Sequence, residues 1–447
     1  MATTSGHLKI ISDVEQETNG VEAQPSIDQA AGDKHFISRP WSGDPLHIVH
    51  GEGTVVEDAG GKTYLDFTSG YFVNQAGHCH PKIVAAAKKQ LDKIHQVSGK
   101  NSTPSAVRLA KTLVETSPKS VEKVFFTTGG SETNEFAFKA ARQTTGKKDI
   151  AALKNAYHGL SLGVLPTCAS KKYRDTAGLK LSENHFSVEN AYCYRCVHKN
   201  NCQTQCLDKV EGMLSVRQDT AALVAEPMQA VGGIIPPKKW WERLNDLRLR
   251  FGLLLILDEI QTGLGRTGKM FGSEHYDLSP DMIAMGKGLS GGVGSLAALL
   301  LSKRVHESFH SGTAPTSAGN AVSAASGQAL IDVIQEEGMI ENASSMGERL
   351  KNSIAELNDP WVGDIRFSGL LGGAELVLDK TTLEPLPPTI VMSIKNTMQD
   401  RGILLSVSGP LKNFLRLQPP LSVSKDEIDE MVTALKESLS SIRETVS

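Results

Sequence analysis

Two residues carry most of the chemical promise of this chain. Lys287 lies in Asp281-Met-Ile-Ala-Met-Gly-Lys-Gly-Leu-Ser-Gly-Gly292, an apolar run that breaks into glycines around a single lysine. A lysine at the end of a buried strand, without bulky neighbours, suits a carbonyl that must approach its amine and form a Schiff base. Twenty-nine residues earlier, Asp258 ends the apolar run Gly252-Leu-Leu-Leu-Ile-Leu257. A carboxylate about 3 Å from a protonated ring nitrogen, at an effective dielectric near 20, gains on the order of 5 kcal/mol before desolvation. Half of that shifts a pKa by roughly two units, enough to keep a pyridine protonated as an electron sink. Lysine for the aldehyde and aspartate for the ring are the pair that pyridoxal 5'-phosphate (PLP) requires of a protein.

Other segments fit the same cofactor. In Val124-Phe-Phe-Thr-Thr-Gly-Gly-Ser-Glu-Thr-Asn-Glu135, a strand turns through Gly129, Gly130 and Ser131 into a helix. Free N–H groups and the positive end of the helix dipole at such a turn can hold a phosphate. Asn155-Ala-Tyr-His-Gly159 follows a strand and places an aromatic ring, Tyr157, where it could stack on a flat heterocycle. Gln261, three residues past Asp258, is near enough to reach another ring substituent. Singly, each has an ordinary reading: a capped turn, a core tyrosine, a surface lysine. Their weight is joint.

The elements that must hold these residues are legible as a rhythm. Apolar runs at Val124–Phe126, Ile150–Leu153, Ala222–Ala225, Leu253–Leu257, Met282–Ala284 and Ala297–Leu301 alternate with helical segments. This predicts an α/β domain with a mainly parallel sheet, whose ligands bind beyond the carboxyl ends of the strands. Glu226, Asp258 and Lys287 all fall at such ends. Before it, residues 45–67 read as short strands with glycine turns, and Pro81–His95 as an amphipathic helix. After it, one long helix is expected over 325–357, then a small α+β domain with strands within 363–377 and 402–407. A last helix should start at Ser424, where Ser-Lys-Asp-Glu forms a capping-box signal. The expected division is a disordered tail (1–36), an N-terminal segment packing with the small domain (37–102), a large domain (103–325) and a small C-terminal domain (326–447).

Composition limits the alternatives. With 447 residues, 40% hydrophobic and 22% charged, the chain is long enough for two or three subdomains. A net charge of −3 gives no bulk attraction to nucleic acid or an anionic membrane. No apolar stretch approaches the roughly 18 residues of a membrane span. Met1-Ala-Thr-Thr-Ser-Gly-His7 leads into an acidic segment unlike a signal peptide or an arginine-rich presequence, so a cytoplasmic location is expected.

Taken together, Thr128-Gly-Gly-Ser-Glu132, Tyr157-His-Gly159, Glu226-Pro-Met-Gln229 with Gly232-Gly233, Asp258–Gly268 and Gly286-Lys-Gly288 resemble the class III (omega-amino-acid) aminotransferases of fold type I, in order and spacing, over about residues 37–445. The resemblance implies that Gly130 and Ser131 bind the cofactor phosphate and Tyr157 stacks on its ring. It implies that Asp258 holds the ring nitrogen, Gln261 contacts the ring oxygen and Lys287 forms the Schiff base and carries protons. His158 and Glu226 belong to the same cofactor site by this likeness, with Glu226 supporting the aspartate. Thr316, in Thr316-Ser-Ala-Gly-Asn-Ala321, matches a threonine that reaches the phosphate of a neighbouring subunit, which implies a homodimer with shared active sites. The family has proline where Ala321 stands, so this turn is expected to be relaxed.

On the substrate side, Leu415-Arg-Leu-Gln-Pro-Pro-Leu421 resembles the segment whose arginine, here Arg416, clamps a carboxylate. Aminobutyrate and ornithine transaminases carry a second glutamate where this chain has Val231. The likeness therefore favours pyruvate or glyoxylate as the keto acid partner of an amine or amino acid donor. Leu65–Tyr71 also resembles 2,2-dialkylglycine decarboxylase, which places glutamine at the position of Tyr71 and tryptophan at that of Tyr157. A decarboxylating transaminase is thus the alternative, beside a catalytically silent PLP-binding protein. Tyr71 and Phe72 are expected to form an aromatic wall facing the substrate.

Finally, Cys193, Cys196, Cys202 and Cys206 crowd into fourteen residues as C-x2-C-x5-C-x3-C. Three readings stand: reduced surface thiols, a structural zinc site, or disulfides.

Overall fold

The computed structural model describes residues 37–38, 45–168 and 170–446. The tail expected to be disordered lies outside the described residues.

Three sheets organise the described residues. An antiparallel meander of β1 (Ile48–Glu52), β2 (Val55–Asp58) and β3 (Thr63–Asp66) comes first. The central sheet contains β4 (Val121–Thr127), β5 (Asp149–Leu153), β6 (His185–Val188), β7 (Thr220–Ala225), β8 (Leu254–Asp258), β9 (Met282–Met285) and β10 (Ala297–Ser302). Its spatial order is β4-β10-β9-β8-β7-β5-β6. The pairs among β6, β5, β7, β8 and β9 are parallel, whereas β10 runs antiparallel to both β9 and β4. The sheet is mixed but dominated by parallel strands. Six of its strands coincide with the apolar runs. The seventh, β6, escapes a reading by apolar runs because His185-Phe-Ser-Val188 is short and half polar.

Period-2 geometry explains why the inner strands are apolar throughout. Ala151, Leu153, Leu223, Ala225, Leu255 and Leu257 face one core, against Trp240, Trp241 and Leu244. The intervening Ile150, Ala152, Ala222, Val224, Leu254 and Ile256 face the other, against Ala137, Phe138 and Ala141. Each fully buried Leu or Ile contributes about 1.5–3 kcal/mol, so this two-sided burial fixes the sheet rigidly.

The C-terminal part builds β11 (Val362–Ser368), β12 (Leu371–Asp379), the two-residue β13 (Glu384–Pro385), β14 (Ile403–Leu404), β15 (Ser406–Ser408) and β16 (Phe414–Leu417). Strands β11, β12, β16 and β15 form one antiparallel sheet, with β13 beside β12. Strand β14 instead pairs in parallel with β3, Ile403 opposite Leu65. The single helix expected over 325–357 is two helices, Ala321–Glu336 and Met339–Glu356, because Gly338 takes a φ of 63° between them. The last helix, Lys425–Val446, begins with a reciprocal cap: Ser424 N donates to Glu427 Oε2 (2.7 Å), and Glu427 N to Ser424 Oγ (3.3 Å).

Candidate active site

The carboxyl ends of the parallel strands bring three sequence-distant groups together. Asp258 is the last residue of β8, Glu226 follows β7 directly, and Lys287 comes two residues after β9. Asp258 is held from three directions. Its Oδ2 accepts from Asn134 Nδ2 (2.9 Å) and from the His158 ring at Nδ1 (2.7 Å), while Oδ1 accepts from Ile260 N (3.1 Å). One lone pair of Oδ1 remains for a further donor. Motif reading misses Asn134. Its signal is a polar residue on the buried face of the helix Gly130–Thr145, beside Ala137, Phe138 and Ala141.

Glu226 is buried, and its two oxygens accept from Tyr157 N (3.2 Å) and Ala230 N (2.9 Å). Burial pushes its pKa up to about 7, with Asp258 adding to the rise and His158 opposing it. The same enclosure pulls the Lys287 amine below the usual lysine value, against the attraction of Asp258 and Glu226. Among the described residues Lys287 makes no ion pair, and its backbone sits at a φ of 45°. That left-handed conformation is costly for a non-glycine residue and characteristic of functional sites.

A cavity of about 400 Å³ is lined by Thr128, Gly129, Gly130, Ser131, Glu132, Glu135 and Ser161. It lies at the N-terminus of the helix Gly130–Thr145, where first-turn N–H groups have no partner within the helix. Its two carboxyls are occupied: Glu132 accepts from Thr128 N and Oγ1, and Glu135 from Ser161 Oγ and Gly163 N. Ser131 Oγ accepts from Leu160 N (3.1 Å), leaving its hydrogen to donate. Glycine is required at position 159, where φ is 138° and a Cβ would collide with Ser131 Oγ. This is why Tyr157-His-Gly159 can lie against the turn. Half-buried Tyr157 stands edge-on to Tyr173, ring centroids 5.8 Å apart, and burial raises its phenol to about 12. Tyr173, which no sequence motif marks, counts Tyr71 and Arg416 among its electrostatic neighbours.

Arg416, on β16, is buried and forms no ion pair among the described residues. Its Nε donates to Ser406 Oγ (3.0 Å), its guanidinium lies 3.9 Å from the Phe72 ring centroid, and burial pulls its pKa down to about 10. An enclosed cation without an acid is ready for an anionic ligand. The Tyr71 and Phe72 rings stand side by side, centroids 5.1 Å apart. Phe72 is buried beneath Arg416, whereas Tyr71 is 61% exposed. Both belong to a turn in which Ser69, Gly70, Tyr71 and Phe72 have φ values of 46°, 59°, 67° and 71°. Gln261 donates from Nε2 to Gln418 Oε1 (2.6 Å), another residue that sequence motifs do not mark.

Thr316 is exposed and stands outside the cavity of its own chain; its carbonyl accepts from Gln96 Nε2 (2.8 Å). The turn after it is not relaxed. Asn320 caps the following helix through Val322 N and Ser323 N, and Ala321 uses the N–H that a proline would lack to bond His95 O (3.3 Å).

The zinc reading is corrected. Among the described residues no group of three or more His, Cys, Asp or Glu side chains could hold a metal ion. The four cysteines are free. Burial, reinforced by Cys202, Cys206 and Cys196, raises the Cys193 thiol to about 11. The loop is instead anchored by Tyr192 Oη and Arg195 Nε, each 2.6 Å from the buried Glu375.

The residues present suit a phosphorylated pyridine aldehyde. The helix turn could take the phosphate, Oδ1 of Asp258 the ring nitrogen, and the Lys287 amine the aldehyde. Comparison with known proteins agrees. Residues 37–439 match the family described as aminotransferase class-III. The adenosylmethionine-8-amino-7-oxononanoate aminotransferase of Nitratidesulfovibrio vulgaris is 32% identical over 434 residues, covering 91% of this chain and 79% of that protein. The taurine–pyruvate aminotransferase of Bilophila wadsworthia is 30% identical over 441 residues, covering 92% and 95%. The solved taurine:2-oxoglutarate aminotransferase from Bifidobacterium kashiwanohense, in complex with PLP and glutamate, superimposes with a TM-score of 0.88 at 27% identity, covering 94% of this chain and 98% of that one. No helix among the described residues is long and apolar enough to cross a membrane.

Proposed function

The chain belongs to the class III aminotransferases, enzymes of fold type I for which PLP is the implied cofactor, and from that membership we propose that it moves an amino group from an amine or amino acid to pyruvate or glyoxylate, with Lys287 as the residue that carries the cofactor. The observation that carries this reading is the enclosed lysine amine beside the triply held Asp258 at the strand ends, with the buried Arg416 of β16 among the amine's electrostatic neighbours.

PLP, when bound, supplies an aldehyde carbon that accepts the donor nitrogen and a protonated ring that acidifies the adjacent carbon–hydrogen bond. The chain supplies the rest. Asp258 keeps a proton on the ring nitrogen, with Asn134 and His158 fixing the carboxyl's orientation. Gly130, Ser131 and the first turn of their helix bind the phosphate, and Tyr157 packs on the ring face. Lys287 Nζ, once displaced, takes a proton from the substrate carbon and returns it elsewhere. Its lowered pKa makes the free amine a more available base near neutral pH. Arg416 orients the substrate by its carboxylate. Val231 supports a one-carboxylate keto acid, since no glutamate stands there to neutralise Arg416 when the substrate changes. The two taurine enzymes above take different acceptors by name, pyruvate and 2-oxoglutarate, so membership alone does not choose between them. Exposed Thr316 supports a homodimer in which it serves the neighbouring phosphate site. A cytoplasmic location accords with the charge pattern.

The test is to convert the holoprotein to its aminated form with a donor and follow recovery of the aldehyde absorbance with pyruvate, glyoxylate and 2-oxoglutarate. Recovery with 2-oxoglutarate alone would contradict the acceptor reading. Carbon dioxide release from a dialkylglycine would favour the decarboxylating alternative, and no spectral change with any donor a silent binding protein.

A further inference from the structure

Gln418 belongs to neither the phosphate cradle nor the carboxylate clamp, yet it touches both halves of the site. It follows β16, two residues after Arg416, and is 1% exposed. Its backbone is committed: N donates to Phe67 O (2.9 Å), and O accepts from Ser69 Oγ. Ser69 Oγ also receives Arg266 Nη2 (3.3 Å) and opens the left-handed turn carrying Tyr71 and Phe72. The side chain serves the cofactor side, with Oε1 taking Gln261 Nε2 at 2.6 Å. Its own Nε2 is buried without a hydrogen-bond partner among the described residues.

An enclosed amide nitrogen leaves two donors unpaired, whereas an enclosed carbonyl oxygen tolerates incomplete pairing better. A half-turn of the last torsion of an amide exchanges its oxygen and nitrogen at almost no change of shape. If both amides invert, Gln418 Nε2 donates to Gln261 Oε1, the enclosed atom becomes an oxygen, and the Gln261 nitrogen turns outward with its hydrogens free. A ring oxygen of PLP accepts and cannot be served by an amide oxygen.

Resting on the reading of Gln261 as the ring-oxygen contact, we infer that Gln418 is a positioning residue: it sets the orientation of the Gln261 amide, and the pair that serves the cofactor is the one in which Gln418 donates. Gln418 thereby ties the cofactor side to the turn that shapes the substrate side.

The experiment titrates apoprotein with PLP, reading the apparent Kd and the pH midpoint of the bound cofactor's visible absorbance, for wild type, Gln418→Met and Gln418→Glu. Far-UV circular dichroism checks that each variant is folded; the backbone bonds of position 418 survive all substitutions. An ionised carboxyl can only accept, so it would pin the Gln261 nitrogen away from the ring. Gln418→Glu should then bind PLP about tenfold more weakly, the deficit growing as pH rises and the introduced carboxyl ionises, while Gln418→Met loses about threefold. In a Gln261→Ala background these differences should vanish. Tighter binding by Gln418→Glu than by Gln418→Met at alkaline pH, or equal Kd values and midpoints in all three coloured proteins, would overturn the inference alone. Failure of wild type to take up PLP would overturn it together with the function it rests on.

Discussion

The floor of the site and its substrate wall are built by different means. The floor is local and saturated. Asp258, Glu226 and Lys287 leave adjacent parallel strands whose two faces are buried, and Asp258 accepts three hydrogen bonds from residues fixed by the same core. The wall is assembled from remote segments under strain. Ser69–Phe72 adopts a left-handed turn, three of whose four residues are not glycine. Local and long-range hydrogen bonds together hold it there. Asp66 Oδ1 accepts from Thr68 N (2.9 Å) and its Oδ2 from Gly70 N (2.6 Å), while Gln418 and Arg266 hold Ser69. Arg266 is itself buried without an acid partner among the described residues and pulled down to about 9 by that burial. A rigid floor suits chemistry common to a family, and a wall assembled from remote segments suits a substrate choice that varies within it.

The largest expected effect probes the floor. Asp258→Asn should keep the protein folded and able to bind PLP while lowering the amination rate on the order of 100-fold, from the half of the Coulomb attraction that survives desolvation. Single-turnover absorbance measures it, and a loss below about threefold would separate Asp258 from the ring. Next comes the wall. Arg416→Gln should raise KM for a carboxylate substrate roughly 10–100-fold, the worth of a charged hydrogen-bond pair, and leave a simple amine donor unaffected. Equal losses for both donor types would show that Arg416 shapes the site rather than clamping a carboxylate.

Strain gives a smaller, structural contrast. At position 70 φ is 59° and a Cβ would collide with Asn74 Nδ2, so Gly70→Ala should destabilise by about 1–3 kcal/mol. Tyr71→Gly, which relieves the same backbone, should be neutral or slightly stabilising in urea melts. A strongly destabilised Tyr71→Gly would mean that the ring, not the backbone, holds the turn. The smallest effect returns to the floor. Glu226 has a folded pKa of about 7 against an ordinary value of 4.5, so folding favours its protonated form and wild type loses stability as pH rises through that window. The melting temperature of Glu226→Gln minus that of wild type should therefore increase by a few degrees from pH 4.5 to about 7 and stay flat above; a flat difference throughout would place the titration elsewhere.

The same contrast explains what can be seen in the sequence. Lys287, Asp258 and Glu226 are legible because period-2 apolar runs end where they begin, and chain order reports strand ends directly. The capping box at Ser424 and the turn at Gly129–Ser131 are legible for the same local reason. The Ser69–Phe72 turn is not, since one glycine in Thr68-Ser-Gly-Tyr-Phe72 gives no local cause for four positive φ angles. Nor are Asn134, Tyr173 and Gln418, which matter through partners remote in the chain. The break at Gly338 is hidden because continuous apolar spacing outweighs one glycine. The cysteine spacing leaves three readings open, because proximity in sequence does not fix where the thiols point; the free thiols of the structure match one of them.

The central claim is that Lys287 Nζ is the atom joined to the cofactor. Borohydride reduction of the PLP-loaded protein, followed by peptide mapping with mass spectrometry, tests it directly. The account predicts a single pyridoxyl label on the peptide containing Lys287, absent in Lys287→Ala. A label on another lysine, or none in a protein that has visibly bound PLP, would contradict it.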